Sequence, residues 1–530
     1  MLFRSIREVP LPEGKEYPYI MPGFIDSHVH IESSMVLPQE FAKAAVAHGT
    51  IGTVSDPHEI ANVLGKEGVR YMIEQSQRTP FNILFGAPSC VPACGGDMET
   101  SGAVLNAKEV EELLAMKEIG YLAEVMNYPG VLNRDEEVMA KINAAHRLGK
   151  PVDGHAPGLK GGQRKQYAAA GITADHECFS LEEGRDCIKA GMKVQIRVGS
   201  AAKDYIELHP LIDEYPDMVM FCTDDSHSED LLHAEIDMMV KHALQDGHDL
   251  WNVLLAACVN PQRHYGLKWG LLQVGDVANF IIVNELNYNL RVQKTILKGK
   301  VVYDRRKGVT LRNLRRYFPH TYPNRFKAKP VTEEDIRLDL QQGDVCPVIV
   351  AKDGGLITRQ ESLVYTDEET MNREHDWNEV QKIVVLNRYQ EDAKPVVGLI
   401  RGFHLVNKGA LASSVAHDCH NIVAIGSDDA CIVRAINRVI KMKGGQVAIC
   451  GTTMAELALP IAGIMSPEDV VYVADKCHEL RTVATEAGCT MNAPFITMAF
   501  MCLPVIPELK ITDKCIWDSA NFRPVAFGRQ

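Results

Sequence analysis

The sequence contains no long hydrophobic run and no surplus of basic residues. No stretch reaches the roughly 18 uninterrupted apolar residues that a membrane-spanning helix needs. Acidic residues outnumber basic residues by 69 to 56, which gives a net charge of −13. Proteins whose main partner is nucleic acid or an anionic membrane usually carry a basic surface. We therefore expect neither partner, and the ordinary composition favours a globular enzyme that acts on a small molecule.

The sequence also lacks a disulfide pattern, an internal repeat and a low-complexity tract. Its 14 cysteines are scattered over 530 residues, without the spacing of a disulfide-stapled domain. The first residues contain no apolar segment of the kind found in secretory signals. We therefore expect the chain to work in the reducing cytoplasm. The length predicts three or four domains, and it is compatible with a homo-oligomer.

Residues 21–268 show the repeating order of strands and helices that is typical of a (β/α)8 barrel. Eight short β-rich runs alternate with helical stretches, as in parallel βαβ units. Eight such units in about 250 residues match the size of a TIM-type barrel. The predicted strands are 19–30, 50–56, 81–89, 121–126, 151–156, 172–177, 192–198 and 218–225. A further helical stretch is predicted over 229–258.

The rest of the chain predicts smaller units around this barrel, within an α/β fold. Residues 1–20 read as a short strand and a linker, and residues 269–305 as antiparallel strands of a small β-domain. A basic, proline-containing linker follows at 306–330. Residues 331–530 form a C-terminal α/β (α+β) domain. Its predicted strands are 346–353, 379–389, 421–426 and 446–450, and its predicted helices are 429–443 and 467–486.

Histidines and carboxylates stand at the ends of five of the predicted barrel strands. Alternate residues of a strand share a face, so Asp26, His28 and His30 point the same way. Taken alone, His28 and His30 also fit two solvent-facing polar residues of an edge strand. In a TIM barrel, however, catalytic groups come from the C-terminal ends of several strands, and buried charges need a partner. The other strands supply Glu124, His155, His176, Asp224 and Asp225. Four histidines and two carboxylates suffice for two metals.

The pair His28-x-His30, followed by Glu124, His155, His176 and Asp224, resembles the metal-binding set of the amidohydrolase superfamily. Members of that superfamily usually carry a bridging lysine on strand four, where this chain has Glu124. Further segments along nearly the whole chain are similar to the adenine deaminase family. They are PGFIDSHVHIESSM, SDPHEIANVLG, SCVPA, AEVMNYPGV, DGHAPGL, CTDD, NPQRHYGL, HDCHN and LPVIPELKITDK.

The resemblance implies hydrolytic deamination of adenine to hypoxanthine and ammonia by a metal-activated hydroxide. His28, His30 and Asp224 would hold one divalent metal, and the other two histidines, His155 and His176, would hold a second. Glu124 would bridge the two metals. Manganese or iron fits this imidazole–carboxylate set, and zinc also suits it. Asp224 would accept the proton of the attacking water and pass it on to the departing amine.

Residues beside these ligands are candidates for catalysis and substrate binding. His58 and Glu59 follow the second strand and are the further catalytic candidates, and His58 would polarise the purine ring or relay a proton. The same segment also fits a capped helix start with Pro57 in its first turn. Glu177 points away from the mouth if the strand continues past His176. The candidates for substrate binding are Ser89, Cys90, Arg197 and Glu177.

The C-terminal segment HDCHN, residues 417–421, is a second cluster of ligand-type side chains. His417 and His420 fit a hydrogen-bonded turn, the rim of the active site or an extra metal site. Three departures from the family pattern lie elsewhere in the chain, and one of them is Asn279 in the small β-domain, where an aspartate is usual. Val198 stands where the family has a glutamate. Only about twenty residues precede PGFIDSH, so we interpret 1–20 as the remnant of the family's N-terminal β-domain.

Two other functions fit the same residues. One is a different amidohydrolase reaction, such as deamination of another aminopurine or hydrolysis of a cyclic amide. The other is a non-catalytic relative that binds a metal or a purine. The presence of all six predicted ligands favours an enzyme, and turnover of adenine distinguishes these functions.

Overall fold

The computed structural model describes residue 2 and residues 17–94, 96–311, 321–366, 377 and 379–528. Strand β1 (Tyr19–Met21) belongs to a small sheet, and the eight strands after it form a parallel barrel in chain order. These are β2 (Phe24–Val29), β3 (Thr50–Ser55), β4 (Asn82–Ala87), β5 (Ile119–Val125), β6 (Val152–Gly154), β7 (Ala174–Asp175), β8 (Lys193–Arg197) and β9 (Val219–Cys222).

The predicted strand 19–30 is thus two strands. Pro22 and Gly23 separate them, because proline lacks the N–H group that a sheet ladder needs. A side chain on Gly23 would also overlap Ile51 of the neighbouring strand. As a result, β1 belongs to the small sheet, and β2 is the first strand of the barrel.

The barrel closes between its first and last strands. The backbone N–H of Asp224 donates to the carbonyl of His28 at 2.9 Å, and the N–H of His30 donates to the carbonyl of Asp224 at 3.2 Å. The strands are almost entirely buried, as expected of a parallel sheet that is covered on its outer face by helices. Closure brings the end of β2 and the end of β9 to the same rim of the barrel.

Fourteen short helices follow the barrel strands in the described part of residues 21–268. Several begin at a side-chain cap; Asn106 and Glu109, for example, form a reciprocal capping box. The helices are Pro38–Ala47, His58–Leu64, Lys66–Ser76, Ala107–Leu114, Tyr128–Leu132, Glu136–Arg147, Gly161–Ala169, Leu181–Lys189, Tyr205–Leu208, Leu211–Glu214, Ser228–His233, Ile236–Gln245, Leu250–Leu254 and Asn260–Tyr265.

The helical stretch predicted over 229–258 is interrupted. It contains three helices and a π-helical turn, Leu255–Val259. The breaks coincide with capping residues: Glu235 accepts from the N–H of Ile236, and Asp249 accepts from the N–H groups of Trp251 and Asn252. Apolar periodicity continues across these breaks, so the pattern alone does not reveal them.

The small sheet is antiparallel and lies beside the barrel. It contains β1 and four later strands, β10 (Phe280–Val283), β11 (Val292–Leu297), β12 (Lys300–Asp304) and β13 (Gly308–Val309). Tyr19 of β1 pairs with Val283 of β10, so the segment before the barrel completes the sheet built after it. The predicted remnant at 1–20 and the predicted linker at 306–330 lie partly outside the described residues.

The C-terminal region is built on an eight-stranded, mostly antiparallel sheet. Its order is β15-β14-β17-β16-β19-β18-β20-β21. The strands are β14 (Val345–Val350), β15 (Arg359–Val364), β16 (Gln381–Leu386), β17 (Val396–Arg401), β18 (Gly409–Ser413), β19 (Ile422–Gly426), β20 (Gly445–Cys450) and β21 (Thr453–Ala458). The helices are Asp429–Met442, Val470–Glu486 and Pro494–Phe500, and a three-stranded sheet follows at β22 (Leu509–Ile511), β23 (Ile516–Asp518) and β24 (Arg523–Val525).

The C-terminal region packs against the C-terminal rim of the barrel. The N–H of Ser466 donates to the carbonyl of Met35 at 2.8 Å, and the N–H of Thr100 donates to the Asp513 carboxylate at 2.8 Å. A continuous hydrophobic core includes side chains from both parts of the chain. The predicted α/β class, with a TIM-type barrel and a separate C-terminal sheet, is confirmed. In the described residues, the helices are too short or too polar to cross a bilayer.

Candidate metal centre

The first barrel strand delivers two histidines to one point inside the barrel mouth. His28 and His30 lie in and just after β2, and their Nε2 atoms face each other at 3.2 Å. The Nδ1 atom of His30 lies 3.0 Å from the Asp56 carbonyl, which can only accept, so Nδ1 carries the proton. The Nε2 lone pair of His30 is therefore available as a metal ligand.

Asp26, predicted on the same face, has a different part in this arrangement. Its carboxylate accepts from the N–H of Thr223 at 3.1 Å and from the Thr223 hydroxyl at 2.5 Å. Burial raises the pKa of Asp26 to about 7, against the opposing effect of these hydrogen bonds. Asp26 thus fixes the first strand against the segment that follows the eighth strand, next to the metal-binding face.

Glu124, at the end of β5, lies between two groups of imidazoles. Its Oε1 atom lies 3.2 Å from His30 Nε2 and 3.8 Å from His28 Nε2. Its Oε2 atom lies 2.6 Å from His155 Nδ1 and 3.3 Å from His176 Nε2. Burial opposes ionisation of Glu124, but His176 and His155 outweigh it and hold the pKa of this carboxyl well below its ordinary value.

Asp224 completes the group on the side of the eighth strand. Its Oδ1 atom lies 3.1 Å from His30 Nε2 and 3.5 Å from His28 Nε2. Its Oδ2 atom accepts from Arg197 Nη1 at 2.9 Å. Burial alone would favour the neutral acid, but His28, His30 and Arg197 keep the pKa of Asp224 well below its ordinary value. Asp224 is therefore ionised, and Arg197 orients its carboxylate so that Oδ1 faces His28 and His30.

These six side chains fit divalent metal ions. All are buried, and several of their polar atoms, such as His28 Nδ1, Glu124 Oε1 and His155 Nε2, have no hydrogen-bond partner within the described part of the chain. Two sets of ligand atoms drawn from them, one from His28, His176 and Asp224 and one from Glu124, His155 and His176, lie within 4.8 Å of one another. Buried imidazoles and carboxylates at such separations are stabilised by metal coordination, since isolated charges are costly away from water.

The rim of the cavity is strongly acidic on the barrel side. Glu177 contacts Arg197 Nη1, and Arg197 Nε donates to Asp204 at 2.8 Å. Burial, with the neighbouring Asp224, raises the pKa of Asp225 to about 6. Asp225 also accepts from the Ser33 hydroxyl at 2.5 Å. A carboxyl group with a pKa of about 6 is mostly ionised at neutral pH and can accept hydrogen bonds from a neutral heterocycle.

The helix that begins at His58 brings two predicted residues to the cavity. The Nδ1 atom of His58 lies 3.1 Å from Asp56 Oδ2 and 3.2 Å from Glu124 Oε1. Pro57 precedes the helix, and no side chain caps it. His58 and Glu59 therefore start a helix and also face the site, but the predicted side-chain cap is wrong, because Pro57 occupies the capping position just before the helix.

The C-terminal region covers the opening of the cavity. His417 Nδ1 lies 2.6 Å from Glu59 Oε1, and the His417 ring stacks on Phe500 with centroids 4.3 Å apart. His417 and Asp418 line the cavity beside the barrel residues, together with apolar residues that the sequence analysis did not identify. These are Met126, Leu356, Phe500, Leu503 and Ile506. Nothing in their local sequence distinguishes them from core residues.

Three of the predicted substrate-binding residues lie behind the cavity wall. The Ser89 hydroxyl donates to the Glu124 carbonyl at 2.5 Å, and Cys90 lies next to it. Arg197 reaches the site through its contacts with Glu177 and Asp224. Val198, the next residue, packs against the hydrophobic core and does not line the cavity. Of the four candidates, Glu177 is the one that lines the cavity.

Comparisons with known proteins identify the family of the chain. Residues 19–302 match the amidohydrolase family, and residues 355–523 match the adenine deaminase C-terminal domain. A protein of Salinibacter ruber named adenine deaminase is 49% identical over 508 residues, which cover 95% of this chain and 91% of that protein. A Sulfurovum protein of the same name is 47% identical over 509 residues, with the same two coverages.

A third relative, from Parabacteroides distasonis, also carries the name adenine deaminase. It is 45% identical over 518 residues, which cover 97% of this chain and 92% of that protein. The family membership predicted from the sequence motifs is confirmed. The chain belongs to the amidohydrolase family and, within it, to the adenine deaminases.

Proposed function

We propose that the protein hydrolyses adenine to hypoxanthine and ammonia. The observation that carries this proposal is the position of Glu124, whose two oxygens face two different pairs of buried imidazoles at the mouth of the barrel. The relatives named adenine deaminase match this chain along almost its full length, which supports the substrate. The cavity contains both carboxylates and apolar side chains, as a flat heteroaromatic substrate requires.

We infer that the centre holds two divalent transition metals. His28, His30 and Asp224 would hold one metal, His155 and His176 would hold the other, and Glu124 would contribute one oxygen to each. Manganese or iron fits this donor set best, and zinc is also compatible with it. Divalent metals bound there lower the pKa of water and so supply a nucleophile at neutral pH.

Asp224 is the proposed proton carrier. Arg197 binds one carboxylate oxygen, Oδ2, and leaves Oδ1 facing His28 and His30. The low pKa of Asp224 keeps the carboxylate ionised, so that Oδ1 has a free lone pair to accept a proton from the attacking water. The same proton can then pass to the amine that leaves carbon 6 of the purine, so that nitrogen departs as ammonia.

His58 and Glu59 are the further proposed catalytic residues. His58 lies between Glu124 and Asp418, so it can hold the purine ring or relay a proton across the cavity. Glu177 faces the cavity and is the proposed acceptor for a ring N–H. Arg197, Ser89 and Cys90 would act through neighbours, because Arg197 fixes two carboxylates and Ser89 fixes the backbone of Glu124.

Product analysis tests this function. Metal-loaded protein is incubated with adenine, with other aminopurines and with a cyclic amide, and products are separated by chromatography while ammonia is measured enzymatically. We expect hypoxanthine and ammonia in equal amounts from adenine and little turnover of the others. Preferred turnover of another substrate would assign a different amidohydrolase reaction. Binding of adenine without product would support a non-catalytic relative.

A further inference from the structure

A second group of histidines and carboxylates lies between the barrel and the C-terminal region. We call it the interdomain cluster, and it consists of His58, Glu59, His417, Asp418 and His420. All five side chains are buried, with residue exposures of 1–4%. Two come from the start of the helix after β3, and three come from a segment about 360 residues later. The ligands proposed for the barrel pair do not include any of them. His58 and Glu59 are also the further proposed catalytic residues, and with an ion bound they would serve as its ligands in place of the proton relay.

Four side chains of this cluster bring possible ligand atoms close together. His58 Nε2 lies 3.4 Å from Glu59 Oε1 and 3.8 Å from Asp418 Oδ2. His417 Nδ1 lies 2.6 Å from the same Glu59 oxygen and 3.8 Å from Asp418 Oδ1. The His58, Glu59 and Asp418 atoms lie within 4.8 Å of one another, a spacing that one metal ion can span.

The hydrogen bonds around the cluster leave lone pairs available on His58 and Asp418, whereas His417 Nδ1 donates to Glu59 Oε1 and would release that proton when an ion binds. His58 Nδ1 lies 3.1 Å from the Asp56 carboxylate, so Nδ1 carries the proton and Nε2 is free to coordinate. Asp418 Oδ2 is buried and has no hydrogen-bond partner among the described residues. A buried carboxylate oxygen without a partner is costly, and a cation offsets that cost.

His420 supports the cluster from outside. The N–H of Ala416 donates to His420 Nδ1 at 3.3 Å, so in the neutral imidazole the proton is on Nε2. That Nε2 atom contacts Glu59 Oε2, the oxygen that does not face His58 and His417. Glu59 is therefore held by His420 on one oxygen and presents its other oxygen, Oε1, to the cluster, as outer partners of metal-binding carboxylates do.

We propose that the interdomain cluster binds a third divalent metal ion, held by His58, Glu59, His417 and Asp418. Two imidazole nitrogens and two carboxylates form a donor set that suits Zn²⁺, Mn²⁺ or Fe²⁺. The ion joins the helix after β3 to the segment 417–420, and so fastens the C-terminal region over the cavity. The alternative is a network of ion pairs without a metal. The proposal does not depend on the substrate of the barrel site.

Metal counting tests the third site directly. The full chain is freed of metal, reloaded with Zn²⁺ or Mn²⁺, passed through a desalting column and analysed by mass spectrometry of the metal content. We expect about three ions per chain for the unaltered protein and about two for Asp418→Asn and His417→Asn. His478→Asn, which changes an exposed histidine of the same region, is the matched control and should keep three.

A second variant covers the case in which these substitutions prevent folding. His420→Gln leaves all four proposed ligands in place. We expect the affinity for the third ion to fall by at least about tenfold, as measured by competition with a chelator. Two ions per chain in the unaltered protein, or three in Asp418→Asn, would overturn the third site. Three bound ions without adenine turnover would instead leave this site standing and contradict the proposed function.

Discussion

At the residue scale, the direction of each proton and lone pair sets what the site can bind. The meeting of the six proposed metal ligands at one place could be predicted from the sequence, because each one lies at the end of a recognisable strand and strand ends meet at the barrel mouth. The place of Asp56, which fixes both His30 and His58, could not be predicted in the same way. The contact of His417 with Glu59 spans 358 positions, and no local pattern specifies such a distance.

Arg197 provides the first prediction at this scale. Its guanidinium is fully buried and contacts Glu177, Asp204 and Asp224. Replacing it by methionine leaves three carboxylates without their cation, which should cost about 3–5 kcal/mol of folding free energy. We also expect at least about a hundredfold loss of kcat, because Asp224 loses its orientation.

Arg197→Lys is the matched control, since it keeps the charge and loses the planar fork. Its stability and activity should fall between those of the unaltered protein and Arg197→Met. Urea unfolding and ammonia release measure the two quantities. Equal stability of Arg197→Met and the unaltered protein would contradict the assigned contacts.

Lys510 provides a prediction about pH. It is fully buried, and its ammonium donates to the carbonyls of Leu356 and Phe500. Burial lowers the pKa of Lys510 from 10.5 to about 7. Between these two values the unfolded chain binds more protons than the folded chain, so the free energy of unfolding rises with pH, by up to about 1.4 kcal/mol per pH unit.

The stabilising effect is complete above the unfolded pKa and is lost as the pH falls towards the folded value. Lys510→Met should remove this part of the pH dependence, because methionine does not titrate. Urea unfolding of metal-free protein at several pH values between about 7 and 9 measures the difference between the two proteins. Parallel curves for the variant and the unaltered protein would show that Lys510 keeps its ordinary pKa.

At the scale of elements, the barrel strands were predicted better than the strands of the C-terminal sheet, of which β15, β17, β18 and β21 were not predicted. A short buried run bounded by glycine, proline or a polar residue identifies each barrel strand. The prediction of one helix over 229–258 was wrong at Glu235 and Asp249. The side chains of these residues cap new helices there, although the apolar pattern continues without a break. The edge strand β15 was missed because its residues are largely exposed and its sequence, RQESLV, is polar. Its pairing with β14 is what makes it a strand.

Gly199 tests how the loop after β8 positions the metal ligands. A Cβ atom at this glycine would overlap the carbonyl of Thr223 and lie 2.6 Å from the carbonyl of Asp225. Gly199→Ala must therefore displace the segment that carries Asp224. We expect a loss of about 1–3 kcal/mol in stability and weaker metal binding. Calorimetric titration of the metal-free protein measures the affinity.

Gly162→Ala is the control for this substitution. Gly162 lies in the helix Gly161–Ala169, and an added Cβ there meets no atom within 4 Å. Alanine in a helix is preferred over glycine by roughly 0.5–1 kcal/mol, so this variant should be as stable as the unaltered protein or slightly more stable. Unchanged metal affinity in Gly199→Ala would contradict the proposed link between the loop and Asp224.

At the scale of the whole molecule, the C-terminal region completes the cavity that the barrel begins. The sequence predicted the barrel and the C-terminal α/β region as separate units. Their relative placement depends on contacts such as that of Ser466 with Met35. No sequence pattern indicates which surfaces of the two regions contact each other. The apolar side chains of Phe500, Leu503 and Ile506 therefore appeared as ordinary core residues until the structure placed them over the metal centre.

The shared core predicts cooperative unfolding. Because one hydrophobic cluster includes residues of both the barrel and the C-terminal region, neither part unfolds without exposing the other. Differential scanning calorimetry of the metal-loaded protein should show one transition. Removal of metal should lower its midpoint by several degrees, because ligands that bind the folded state stabilise it. Two well-separated transitions would contradict a shared core.

The most direct test of the central claim is ammonia release from adenine by metal-free protein, before and after addition of Mn²⁺, beside His28→Ala. His28 is fully buried and lies against His30, Glu124 and Asp224. We predict that turnover appears only when metal is restored to the unaltered protein, and that His28→Ala stays at least about a thousandfold less active. Turnover without metal, or equal activity in His28→Ala, would contradict a metal-dependent deaminase centred on these residues.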